Sequence, residues 1–219
     1  MTFSQEWDNR FKENKNISIW PWSDLVSFVM RYAKPSNPQF RVLELGCGAG
    51  ANIPFFLSLG VQYCGIEGSA TIINRLKEKF PSLKDNLITG DFTSSIHFLE
   101  GFDLVVDRSA VTHNPTSGIK KCLEEIHRVL KAGGTYVGID WFSTLHSDYM
   151  GGMKAEDGFT RTGYQTGQFT NVGRVHFSDR PHLEELLNRF SILILEHKIV
   201  KREIPDSSVF AAWNFVVKK

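Results

Sequence analysis

Hydrophobic residues along the chain fall into two alternating kinds of run. Short continuous stretches at 42–45, 61–67, 87–89, 102–107 and 135–140 predict buried strands. Between them, apolar residues recur at three- and four-residue steps, the period of one helix face. Leu25, Phe28, Val29 and Tyr32 mark a helix that Ser23 can cap and that ends at Pro35. A second helix at 51–59 carries Pro54 in its first turn, where proline is tolerated. Ile72, Ile73, Leu76 and Phe80 mark a third, capped by Ser69 and stopped by Pro81. Ile119, Cys122, Leu123, Ile126, Val129 and Leu130 mark a fourth, opened by Thr116 or Ser117 and closed by Gly133 and Gly134. Leu183, Leu186, Leu187 and Phe190 mark a fifth, opened by Ser178 or Asp179. Apolar runs at 191–195 and 209–217 predict two closing strands.

Strands alternating with helices of this length imply parallel pairing through right-handed crossovers. The expected fold is α/β: one doubly wound domain over residues 1–219, with a mostly parallel seven-stranded sheet, helices on both faces and an antiparallel C-terminal strand. Residues 1–38 read as an N-terminal helical cap, polar at first with the isolated aromatics Trp7, Phe11 and Trp20. Residues 142–177 lose all periodicity and are rich in Gly, Ser, Thr, His and Asp. A loop of that length inside a compact domain is usually functional or mobile.

The first strand ends in Gly46-Cys47-Gly48-Ala49-Gly50 and opens onto a helix N-terminus. Glycines let the backbone approach a ligand, and first-turn N–H groups without intrahelical partners favour an anion such as a carboxylate or phosphate. Gly46-x-Gly48-x-x-Ala51 satisfies the dinucleotide fingerprint, whose last position accepts Ala. An acid at the end of the next strand, Glu67, suits a ribose and does not by itself name the cofactor.

Composition narrows the field. A hydrophobic content of 42% with 22% charged residues is that of a globular protein. A formal net charge of +1 argues against a broad nucleic-acid surface. No apolar run is long enough to span a bilayer, and the N-terminal residues lack the basic and then apolar regions of a signal peptide. Cys47, Cys64 and Cys122 have no metal or disulfide spacing and fall beside core elements, so buried thiols in a reducing cytoplasm are expected. No H-x-x-x-H or similar spacing supports a metal site.

Five motifs occur in order: Glu44-Leu-Gly-Cys-Gly-Ala-Gly50, Glu67, Gly90-Asp91-Phe92, Phe102-Asp-Leu-Val-Val-Asp107 and Arg128-Val-Leu-Lys-Ala-Gly-Gly134. Together they resemble the class I, Rossmann-like S-adenosylmethionine (SAM) dependent methyltransferases of the small-molecule type, over residues 20–217. The resemblance implies SAM as cofactor and a binding set of Glu44, Gly46, Cys47, Gly48, Gly50, Asn52, Glu67, Gly68, Asp91, Phe92 and Asp107. The glycine loop would take the methionine carboxylate, Glu67 the ribose hydroxyls, Asp91 the adenine amino group and Phe92 the ring. Glu44 lies toward the methionine moiety or holds the glycine loop by hydrogen bonds, roles that can coexist. Glu67, at a strand end, is expected to have no packing duty.

The expected activity is transfer of a methyl group from SAM to O or N of a small-molecule acceptor. The rivals are a nicotinamide-dependent oxidoreductase and a non-catalytic SAM-binding protein. Ligands in open α/β sheets sit beyond the carboxyl ends of the strands, which nominates Asp107 after strand four and Asp140 after strand five. His113 and His176 are further base candidates, because histidine titrates near neutrality. The Asn-Pro-Pro-aromatic motif expected of adenine amino-methyltransferases is replaced by Asp107-Arg-Ser-Ala, against a DNA or RNA substrate. Trp20, Trp22, Trp141, Phe142, Tyr149 and Phe169 are candidates for an aromatic pocket suited to a sugar-like or aromatic acceptor. Residues 142–177, with their glycines and aromatics, are expected to act as a lid over it.

Overall fold

Along β1 (Arg41–Leu45) successive side chains point to opposite faces. Val42 enters a core cluster with Leu25, Phe28, Phe56 and Leu76, and Leu43 and Leu45 enter another with Ile119, Leu123, Leu183 and Leu187. A strand buried on both faces needs helices on both faces, and the chain supplies them. A computed structural model describes residues 4–219; the first three residues of the expected cap lie outside the described residues.

The elements follow in order: α1 (Gln5–Lys12), α2 (Ser23–Phe28), β1, α3 (Ile53–Ser58), β2 (Gln62–Glu67), α4 (Ala70–Lys79), β3 (Leu87–Thr89), β4 (Phe102–Arg108), α5 (Thr116–Val129) and β5 (Leu130–Phe142). Then come β6 (Met153–Lys154), β7 (Thr160–Thr162), β8 (Val175–His176), α6 (Arg180–Leu186), β9 (Ser191–Lys201) and β10 (Val209–Lys218). The seven-stranded sheet has the order β3-β2-β1-β4-β5-β10-β9. Its first five strands pair in parallel, and β10 lies antiparallel to both β5 and β9. This is the expected doubly wound, mostly parallel sheet with an antiparallel C-terminal strand. The order reverses direction between β1 and β4, the switch point where such sheets bind ligands.

Three local expectations change. Trp22, not Ser23, is the N-cap of α2, which runs on into a single π-turn at Val29–Ala33. Gly133 and Gly134 do not close α5: its C-cap is Leu130, and both glycines lie within β5. Residues 142–177 are not structureless. They hold a 3-10 turn (Ser147–Met150) and an antiparallel sheet, β6-β7-β8. Phe142, Tyr164, Phe169, Val172, Val175 and Phe177 form their own buried cluster there. Apolar positions scattered without a 2.0 or 3.6 period filled this small core, which is why the periodicity did not show it. All three cysteines are free and buried.

Candidate active site

A cavity of about 300 Å³ opens at the carboxyl ends of β1, β2, β3 and β4, within the range of small-molecule pockets. The glycine loop forms its floor. Gly46 sits at φ 64° with its Cα facing the next loop: a Cβ there would fall 2.2 Å from the Cβ of Ala110. Only glycine permits both the left-handed backbone and that approach. Gly46 and Cys47 donate their N–H groups to the carbonyl of Ile66, at 2.8 and 3.4 Å, tying the loop to β2.

Two buried carboxylates brace this end. Glu44 accepts from the Asn52 side-chain amide at 2.7 Å and from the Tyr63 hydroxyl at 2.6 Å. Burial pushes its carboxyl up to about 7, against the lowering effect of those two donors. Glu67 accepts from the N–H of Gly48 at 3.1 Å and from the N–H of Ser69 at 3.1 Å. It is only 6% exposed, and burial raises its carboxyl above the usual range despite those N–H groups. Glu67 therefore couples the glycine loop to the start of α4, and the expectation that it carries no structural duty is corrected. Asp91 lies at the far edge of the cavity and takes the Thr93 hydroxyl at 2.6 Å and its N–H at 3.0 Å.

The opposite wall comes from two other places. Asp107 is fully buried and lies outside the lining; one oxygen takes the N–H groups of Ala110 and Val111 at 2.7 and 2.9 Å. The other takes the Trp141 indole N–H at 2.5 Å and the Tyr136 hydroxyl at 3.4 Å. Burial pushes its carboxyl up to about 6. Asp107 thus shapes the turn that presents Arg108, Ser109, Ala110 and His113 to the cavity, and touches no ligand space itself. His113 is half-buried; its Nδ1–H donates to the carbonyl of Arg174 at 2.8 Å, leaving Nε2 with its lone pair. Burial lowers its pKa to about 4, outweighing the raising effect of that carbonyl, so the ring is neutral at pH 7.

The second contributor is the N-terminal segment. Ser4, Trp7, Phe11, Asn16, Ser18 and Trp22 all line the cavity. Helix α1 is fastened across the glycine-loop side by Ser69 Oγ donating to Asp8 at 2.5 Å and by Arg75 donating to the carbonyl of Phe11 at 3.0 Å. Trp7 meets His113 edge-on, with ring centroids 4.8 Å apart.

The structure brings together Glu44, Gly46, Cys47, Gly48, Asn52, Glu67, Asp91, Phe92 and His113 from the expected set. Gly50 and Gly68 stand outside the lining. A Cβ on Gly50 would meet Leu76 at 2.6 Å and Ile53 at 3.0 Å, so its bareness serves helix packing. Asp107 is corrected as above. Asp140 is also outside: buried at φ 55°, it pairs with Arg108 at 2.7 Å and Lys198 at 2.8 Å. His176 is buried between Thr160 (3.1 Å) and His182 (3.1 Å), in the small sheet rather than at the cavity. Of the six aromatics expected to form the acceptor pocket, only Trp22 lines the cavity. Trp141 is core, Phe142, Tyr149 and Phe169 belong to the cluster of the small sheet, and Trp20 is 77% exposed. No residue of 142–177 lines the cavity, which corrects the expected lid. That segment braces the wall from behind: Arg174 holds His113, and the carbonyl of Thr170 takes Arg10 at 2.9 Å. Trp7 and Phe11, one helical turn apart, were the legible signal for the true cover.

Residues 42–134 match the family model described as a methyltransferase domain. An uncharacterized methyltransferase of Synechocystis sp. is 29% identical over 105 residues, 48% of this chain and 48% of that protein. The chain spans about half the length of the curated relatives it matches first. Among solved structures, a SAM-dependent methyltransferase from Methanosarcina mazei superposes with TM-score 0.69 at 16% identity, covering 91% of this chain and 98% of that one. The 1,6-didemethyltoxoflavin-N1-methyltransferase of Burkholderia thailandensis, with its heterocycle and S-adenosylhomocysteine bound, superposes with TM-score 0.64 at 15% identity, covering 98% and 84%. Residues 42–134 thus carry the match to a methyltransferase domain, and the whole chain shares the fold of solved SAM-dependent methyltransferases. No helix of the described residues is long and apolar enough to cross a membrane.

Proposed function

We propose that this chain binds SAM with Glu44, the glycine loop, Glu67 and Asp91, and transfers its methyl group to O or N of a small molecule. The observation that carries this reading is the cavity itself. One end is made of glycine-loop backbone and carboxylates; the other is closed by Trp7, Trp22, Arg108 and His113. The backbone of Gly46 and Gly48, bare of side chains, lines the cavity and leaves room for the methionine moiety. Glu67 and Asp91 suit the ribose hydroxyls and the adenine amino group. The enclosure favours a small molecule over a polymer, and a neighbour of the same fold holds a small heterocycle in its own site.

His113 is the base in this reading. Its Nε2 carries the lone pair because Nδ1–H is engaged by the Arg174 carbonyl. As an acceptor O–H attacks the methyl carbon, the C–S bond breaks, the acceptor's proton passes to Nε2, and S-adenosylhomocysteine leaves with the sulfur lone pair. A positioned base contributes typically ~10²–10⁴-fold. In-line positioning between the walls contributes further, within the ~7–11 kcal/mol open to well-oriented reactants. Incubation with methyl-labelled SAM and a fractionated small-molecule extract tests the proposal. It predicts S-adenosylhomocysteine formed in step with one labelled small molecule. SAM that binds yet yields no S-adenosylhomocysteine with any fraction would leave a non-catalytic SAM-binding protein instead.

A further inference from the structure

Arg108 is the one cation of fixed charge in the cavity lining among the described residues. Its guanidinium lies over the Trp22 ring, 3.5 Å from the centroid. One Nη2 N–H donates to Asp140 at 2.7 Å. Asp140 is itself 2% exposed and is held on its other oxygen by Lys198, which also reaches Asp24 at 2.5 Å. Stack and ion pair together fix both the plane and the position of the fork. Guanidinium has five N–H donors; among the described residues an acceptor takes one on Nη2, and the second Nη2 N–H remains, parallel to an N–H of Nε or of Nη1 that no acceptor takes either.

We propose that these free donors anchor a carboxylate of the acceptor, so that the substrate is a small carboxylic acid methylated at another atom. This rests on the methyltransferase reading above. The geometry favours a carboxylate because two parallel N–H groups of a planar fork match its two oxygens. The charge favours a monoanion. Arg108 and Lys198 are balanced by Asp140 and Asp24, and the acids Glu67 and Asp91 line the far end of the same cavity, so a carboxylate meets less repulsion there than a phosphate dianion. Trp7 and Trp22 line the same end, so an aromatic acid fits the walls as well as the charge. The anchor also has a mechanistic use. It holds the acceptor by an atom that does not react, leaving the nucleophile free to face the methyl group and His113.

Benzoate, benzamide and phenyl phosphate serve as probes, titrated by calorimetry and ligand-observed NMR into the chain loaded with S-adenosylhomocysteine. Benzoate is expected to bind at least tenfold more tightly than neutral benzamide and more tightly than phenyl phosphate. Arg108→Gln should erase the benzoate preference, and Arg108→Lys should keep only part of it, since charge remains but the fork is lost. Trp22→Leu, which removes the stacked ring, should weaken the benzoate preference. Equal binding of benzoate and benzamide, or a preference that survives Arg108→Gln, would overturn the anchor. A preference for phenyl phosphate would overturn the carboxylate. Failure of wild type to take up S-adenosylhomocysteine would instead sink the methyltransferase reading, and the two failures are read in the same titrations.

Discussion

At one end of the cavity Glu44 is held by Asn52 and Tyr63, and Glu67 by Gly48 and Ser69, all within residues 44–69. At the other end His113 is held by a carbonyl 61 residues away and by Trp7 in the first helix, and Arg108 lies on Trp22. The cofactor end is thus assembled from one βαβ unit and its own hydrogen bonds. The acceptor end is assembled from three distant segments that only the finished fold brings together. A local device can be kept while the wall opposite changes, because Glu44 and Glu67 are held within residues 44–69, whose hydrogen bonds to the N-terminal segment are those of Ser69 to Asp8 and of the Trp22 N–H to Asn52. That separation suits a fold that keeps one cofactor and varies its acceptor.

If the ends are separable, a change at one should leave the other intact. The largest effect is expected at the acceptor end. His113→Asn should lower turnover of a hydroxyl acceptor by ~10²–10⁴-fold, the usual worth of a positioned base, with S-adenosylhomocysteine affinity unchanged. Steady-state rates and calorimetry on the same sample decide it, and a parallel loss of cofactor binding would break the comparison.

Next is Gly46→Ala at the cofactor end. The new Cβ would meet Ala110 at 2.2 Å on a left-handed backbone. Overpacking and the disfavoured φ together should cost about 2–4 kcal/mol of stability, read as a lowered urea midpoint. A variant as stable as wild type would show that the loop moves freely against the β4–α5 turn.

Glu67→Ala should weaken S-adenosylhomocysteine by ~1.5–3 kcal/mol, the range for hydrogen bonds to a charged group. Because Gly48 and Ser69 lose their acceptor, the urea midpoint should fall as well. Loss of stability with full cofactor affinity would confine Glu67 to its structural bonds.

The smallest effect sets buried carboxyls against buried histidines by the sign of their pH dependence. Glu44 rises from 4.5 to about 7 and Asp107 from 3.8 to about 6 on burial. Groups raised on folding stabilise fully below their ordinary values, and that contribution is lost as pH rises through the folded ones. His113 falls from 6.5 to about 4 and His176 from 6.5 to about 3. Their contribution is present above 6.5 and lost as pH falls through the folded values. The opposed slopes overlap between pH 4.5 and 6.5. Glu44→Gln removes one carboxylate, so stability of the variant should climb with pH more steeply than wild type there, by up to ~1.4 kcal/mol per unit for one proton. Urea midpoints across that window give the answer, and an unchanged slope would mean Glu44 is ionised in the folded protein.

The same division explains what could be read from the sequence. Strands β1 to β5 and helices α3 to α5 follow periods that single residues punctuate, Ser69 and Pro81 among them, so they were legible together with Glu44, Gly46, Gly48, Glu67 and Asp91. At the acceptor end only His113 and Trp22 were legible. Asp107 and Asp140 lie at strand ends, where ligands sit, yet their carboxylates turn inward to Trp141, Ala110 and Arg108. His176 falls in an unpatterned segment whose small sheet faces away from the cavity. Trp7 and Phe11 stood out as apolar residues in a polar stretch, but nothing along the chain says that α1 crosses the glycine loop.

The central claim is that one end of this cavity is a SAM site. Calorimetric titration of S-adenosylhomocysteine into the chain, with and without NADH, tests it most directly. The account predicts one molecule bound per chain and no competition from NADH. No heat of binding, or displacement by NADH at similar concentration, would contradict it.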